Sequence, residues 1–177
     1  LSTLDWIQSW IQENASGKRI IAMMHHPLFP HITGANMFID TYTVANYVDV
    51  RNALINAGVN VILTGHFHTS DIAYDWKDNQ ANGIYDINTG SLISYPCDYR
   101  MLTLTDNTLS VKTKSLTQTE ALQPIESGNK VTWKKWLEGR VGTMITNKFK
   151  SQPYKFLNDA DKEFLTNLAI SAFSLHA

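Results

Sequence analysis

Two short, almost wholly apolar runs constrain this chain more than any other feature. They are Arg19-Ile20-Ile21-Ala22-Met23-Met24 and Val59-Asn60-Val61-Ile62-Leu63. Runs of this length and composition predict strands covered on both faces, as in parallel sheets. Between them Tyr47, Val50, Leu54 and Ala57 fall on one stripe ahead of Gly58, which predicts a helix over residues 46–57. Strand, helix, strand at this spacing is a βαβ unit, whose crossover makes the strands parallel and brings both C-terminal ends to one edge. A preceding helix is expected over residues 4–14, where Leu4, Ile7 and Ile11 share a stripe with Trp6 and Trp10 beside it. Ser2 and Asp5 resemble a capping box and Gly17 suits the other end. The fold class expected is α/β.

From Ile72 the pattern shortens to alternating segments, with Asn82-Gly83 and Asp106-Asn107 as turn signals between antiparallel strands. The best hairpin joins residues 101–105 to 109–113. A polar stretch with Pro124 and Gly128 then leads to two expected helices, 131–148 and 159–175. The domain reading is therefore 1–116 followed by a helical C-terminal appendage, 117–177. Trp133, Trp136, Phe149, Tyr154 and Phe156 give the appendage its apolar anchors, expected to pack on the first domain.

Composition excludes several classes. With 15 Lys and Arg against 16 Asp and Glu, the net charge of -1 sets up no field to recruit nucleic acid. Cys97 is the single cysteine, so neither an internal disulfide framework nor a thiolate metal cage is available. No apolar run reaches the roughly 18 to 20 residues of a membrane span. Leu1 in place of an initiator methionine predicts a terminus made by cleavage or trimming, and localisation stays open.

The chemistry gathers just past the two apolar runs. Open α/β sheets bind ligands outside the carboxyl ends of their strands, and there the sequence places His25, His26, His66 and His68. Imidazole ligates zinc, iron or manganese near neutral pH, so histidines on loops fixed by two buried strands predict a metal site. The spacing of His66 and His68 would put both rings on one side of an extended segment, able to serve two adjacent ions. Gly65 would let the backbone turn close to the metal. Asp71 is a candidate for orienting a histidine ring from behind. His31 and His176 are read as structural or solvent-facing. A mononuclear zinc hydrolase on His25, His66 and His68 is arithmetically allowed, but the sequence offers it no evident general base.

The segments Met24-His25-His26-Pro27-Leu28 and Gly65-His66-Phe67-His68 resemble the last two motifs of the calcineurin-like metallophosphoesterases, a family that includes purple acid phosphatases and acid-sphingomyelinase-like phosphodiesterases. The similarity covers residues 1–116, since the leading LDWIQSWIQ helix, Gly90-Ser91-Leu92 and the stretch YRMLTLTDNTLSVKT look like the family's final elements. It implies the C-terminal part of a metallophosphoesterase-type β-sandwich flanked by helices. By the same resemblance His25 and His66 would bind one metal and His68 the other, with His26 at a variable position, behind the ligands or beside the substrate. The implied cofactors are two divalent or trivalent ions (Mn, Fe or Zn), which clamp a phosphomonoester or phosphodiester and acidify a water for in-line attack.

The family's earlier motifs (Asp-x-His, Gly-Asp-x-x-Asp, and Gly-Asn-His followed by an acidic residue) are absent; Gly128-Asn129 is followed by Lys130. No catalytic residue is therefore assigned in this chain, which is expected to be inactive without an N-terminal segment that supplies the bridging carboxylate. The alternative is a degenerate, non-catalytic module that pairs with another chain or self-associates through an exposed sheet edge. Tyr42, Tyr95 and Asp98 are loop candidates for substrate contact.

Overall fold

A computed structural model describes residues 2–31, 42–79, 81–106, 108–116, 125–126, 129–151 and 158–176. Of the features expected from sequence, Asn107, Pro124, Gly128, Tyr154 and Phe156 lie outside these residues. The protein is mixed α/β, with four helices among the described residues. It divides into two compact units, Leu1–Thr89 and Gly90–Ala177, so the break falls between Thr89 and Gly90 and the 98–115 hairpin belongs to the second unit.

The first unit begins with helix α1 (Thr3–Asn14), where both halves of the capping box are present. Ser2 Oγ accepts from the Asp5 amide at 3.2 Å and Asp5 Oδ2 from the Ser2 amide at 3.0 Å. The Ser2 amide, and then its hydroxyl, hold the Asp5 carboxyl below its usual range. Strand β1 (Ala22–Met23), helix α2 (Tyr47–Asn56) and strand β2 (Val61–Thr64) form the expected crossover unit, with β1 and β2 parallel. Helix α2 ends in a Schellman motif: the Gly58 amide donates to the Ile55 carbonyl and the Val59 amide to that of Leu54, with Gly58 at φ 81°. That left-handed residue is what a glycine is needed for here.

Strands β3 (Asp71–Trp76) and β4 (Gly83–Asn88) complete a four-stranded sheet in the order β1-β2-β4-β3. β4 runs parallel to β2, and β3 returns antiparallel along the outer edge of β4. One face of this sheet is the core. Leu28, Phe29, Leu54, Val59, Ile62 and Ile84 are buried there, with Ile7 and Ile11 of α1 and Tyr47, Val50 and Ile55 of α2 packed on them.

The other face departs from expectation. Ile20, Ala22 and Met24 pack on the core, but Ile21 and Met23 alternate away from it and Met23 is 80% exposed. Tyr85, Ile72 and Trp76 are also exposed on β4 and β3. The 19–24 run is therefore covered on one face only. An apolar run reports that side chains can be buried, whereas a second cover depends on what lies across the sheet.

In the second unit, β5 (Asp98–Leu104) and β6 (Leu109–Ser115) make the antiparallel hairpin, longer at its open end than the sequence indicates. The Thr105 amide donates to the Thr108 carbonyl across its turn. A short pair, β7 (Ile125–Glu126) with β8 (Asn129–Lys130), precedes helices α3 (Trp133–Ser151) and α4 (Asp159–His176). Leu137, Val141 and Ile145 on α3 are buried at helical spacing, and a Cβ on Gly142 would lie at an ordinary 3.7 Å from Ile170 of α4. No helix among the described residues is long and apolar enough to cross a membrane.

Candidate metal centre

The ends of β1 and β2 deliver the histidines. Parallel pairing sets Met23 beside Leu63, so His25 and His66 emerge from adjacent strands, and the Gly65 amide donates to the His25 carbonyl at 3.0 Å. From β4, Asn88 Nδ2 donates to the Gly65 carbonyl at 2.9 Å. The two loops are thus laced together by main chain before any side chain is considered.

His66 Nδ1 lies 2.9 Å from His25 Nε2. The His26 and His66 ring centroids are 4.3 Å apart, and those of His25 and His66 4.8 Å. Three of the four expected histidines therefore share one cluster. His68 stands close enough that the charge of His25 bears on it. Tyr42 joins the group, its ring 4.4 Å from that of His66 and stacked at 6.3 Å on buried Phe67. Tyr95 and Asp98, the other two loop candidates, belong to the second unit. There Lys134 lies over the Tyr95 ring and Asp98 accepts from Ser115 Oγ.

The backbone here differs from the extended segment read from sequence. His66 has φ 71° and His68 φ 58°, both in the left-handed region that side chains with a Cβ avoid. The Phe67 amide donates to the Gly65 carbonyl, so His66 is the centre of a γ-turn of positive φ, the rarer and more strained form. Gly65 does not take the special conformation. A Cβ placed on it would meet only the His25 and Thr89 carbonyls at ordinary distances of 3.9 and 4.0 Å. Each left-handed non-glycine residue costs about 1–3 kcal/mol and persists only where its surroundings impose it, which is a habit of functional sites.

Electrostatics point the same way. Burial, and then the charges of His26, His25 and His68, push the His66 imidazole below its ordinary pKa. Burial, and then His25, do the same for His68. Both rings are held in the neutral form that can ligate a metal, so protons compete less with it. The donor chemistry also fits. Two nitrogens bound to one ion at about 2.0–2.1 Å each lie roughly 3 Å apart, close to the His25–His66 separation. The same distance suits a neutral imidazole pair sharing a hydrogen bond. Among the described residues no three His, Cys, Asp or Glu side chains converge as a ready-made metal cage.

Asp71 does orient a buried histidine ring, that of His31. Its Oδ2 accepts from His31 Nδ1 at 2.8 Å, and His31 Nε2 sits 3.2 Å from Asp86 Oδ2 as a charge contact off the line of a hydrogen bond. His31 is therefore structural but not solvent-facing, since its side chain is fully buried. Burial alone would depress its pKa. The contacts and charges of Asp86 and Asp71 outweigh that and raise it.

Asp86, which sequence reasoning missed, is fully buried. Its Oδ2 accepts from the Leu28 amide at 2.6 Å and its Oδ1 from Thr64 Oγ1. A signal was present. In Ile84-Tyr85-Asp86-Ile87-Asn88 the alternation from Ile84 puts a carboxylate at an inward position, where an unpaired charge is not tolerated.

Compared with models of known protein families the chain matches none, and no curated protein matches it in sequence.

Proposed function

We propose that this chain carries the histidine half of a dinuclear metal phosphoesterase centre, with His25 and His66 holding one ion and His68 the other. One observation carries the reading. At the carboxyl ends of the parallel strands β1 and β2, His25 and His66 face each other at 2.9 Å, in a turn that holds His66 and His68 at positive φ. The metals, when bound, would polarise the phosphoryl oxygens and activate water for in-line attack.

The chain's own residues hold and orient. His25, His66 and His68 offer ring nitrogens, and His26 and Tyr42 wall the cluster beside His66. Asp86 is taken up by the Leu28 amide, Thr64 and His31, and the bridging carboxylate is assigned to a segment outside these residues. The test is hydrolysis of bis(4-nitrophenyl) phosphate with Mn²⁺, by this chain and by the chain extended with its encoded upstream residues. Turnover by the extended form alone, abolished in His66→Ala, supports the reading. Equal turnover by both forms, or none by either, contradicts it.

A second reading, a metallophosphoesterase-like module that pairs with another chain, is favoured by the exposed outer face of the sheet around Met23 and Tyr85.

A further inference from the structure

The two histidine-bearing loops share a tether. Leu28, two residues after His26, donates its amide to Asp86; Thr64, two residues before His66, donates its hydroxyl to the same carboxylate. Asp71, three residues after His68, is reached through the buried His31 ring, whose far edge faces Asp86. Among the described residues, the partners of this carboxylate thus flank the cluster. β4 has no need of the carboxylate for its own register, because main-chain pairing with β2 and β3 already fixes it from Gly83 to Asn88. A buried carboxylate used only for packing would be better replaced by an apolar side chain.

We propose that the Asp86–His31–Asp71 chain, together with the Thr64 hydroxyl, is the positioning device of the histidine cluster, fixing at once the segments that carry His25, His66 and His68. The assignment rests on reading that cluster as a metal-holding site. Loss of a group that orients ligands from behind typically costs about 10–100-fold in metal affinity or activity. Asp86, His31 and Thr64 are positioning residues, since none is itself offered to the metal.

The test uses Thr64→Val, Thr64→Ser and Asp86→Asn in the whole chain. Thr64→Val is nearly isosteric and removes only the hydroxyl, so it reports even if the aspartate variant folds poorly. Zinc affinity is measured by chelator competition on protein shown to be folded. It should fall by about tenfold or more in Thr64→Val and Asp86→Asn and be restored in Thr64→Ser. Affinity unchanged in both, or lost equally in Thr64→Ser, overturns the proposal. If the wild-type chain binds no zinc, the metal reading fails and amide hydrogen exchange of the metal-free protein decides the tether separately. Faster exchange at Leu28 in Asp86→Asn and at Gly65 in Thr64→Val, beyond the change at Ile84, supports it. A uniform change at all three amides contradicts it.

Discussion

At the scale of single residues, His66 concentrates the conflict between stability and function. Its φ of 71° suits glycine, not histidine, so the ring is kept there at a conformational cost. His66→Gly should therefore be more stable than His66→Ala by about 1 kcal/mol in urea denaturation, and both should lose metal binding. Equal stabilities would show that the backbone there is not strained. The imidazoles also set two pH signatures of opposite sign. His66 and His68 have lowered folded pKa values, so their contribution is complete above the ordinary value of 6.5 and is lost as pH falls below it. His31 has a raised one, so its contribution is complete below 6.5 and is lost as pH rises through the folded value. Denaturation at several pH values should show His66→Asn flattening the acid-side loss and His31→Asn flattening the alkaline-side loss. The reverse assignment would contradict the electrostatic account.

At the scale of elements, the Schellman end of α2 and the start of β4 make the sharpest claims. Gly58→Ala puts a Cβ on a residue at φ 81° and should cost about 1–2 kcal/mol, although nothing crowds the site. Gly83→Ala should cost more, because its Cβ would fall 2.5 Å from the Tyr74 ring and 2.6 Å from the Asp75 carbonyl. Urea midpoints check both, and a harmless Gly83→Ala would mean that Tyr74 moves aside freely. These elements show how far the sequence could be read. The capping box, the crossover unit and the arrival of His25 and His66 at one edge were legible, because each depends on local spacing or on a connection rule. The positive φ of His66 and His68 was not, since no glycine marks it. Nor was the ring of Asp86, His31 and Asp71, because contacts among residues so far apart in sequence leave no periodic trace. The exposure of Met23 depends on what faces the sheet, which one run of six residues cannot encode.

At the scale of the whole molecule, the first unit is a half-covered sheet whose open edge carries the histidines, and the second is a hairpin followed by two packed helices. The outer face, with Met23 80% and Tyr85 49% exposed, predicts concentration-dependent self-association in sedimentation velocity, reduced by Met23→Lys. A monomer at all concentrations would remove support from the pairing reading. The most direct test of the central claim is X-ray absorption of the zinc-loaded chain beside a His66→Ala, His68→Ala double variant. Zinc in the wild type should be coordinated mostly by imidazole nitrogen, a signature lost in the double variant while the fold persists. Identical zinc uptake and identical spectra from the two proteins would contradict it.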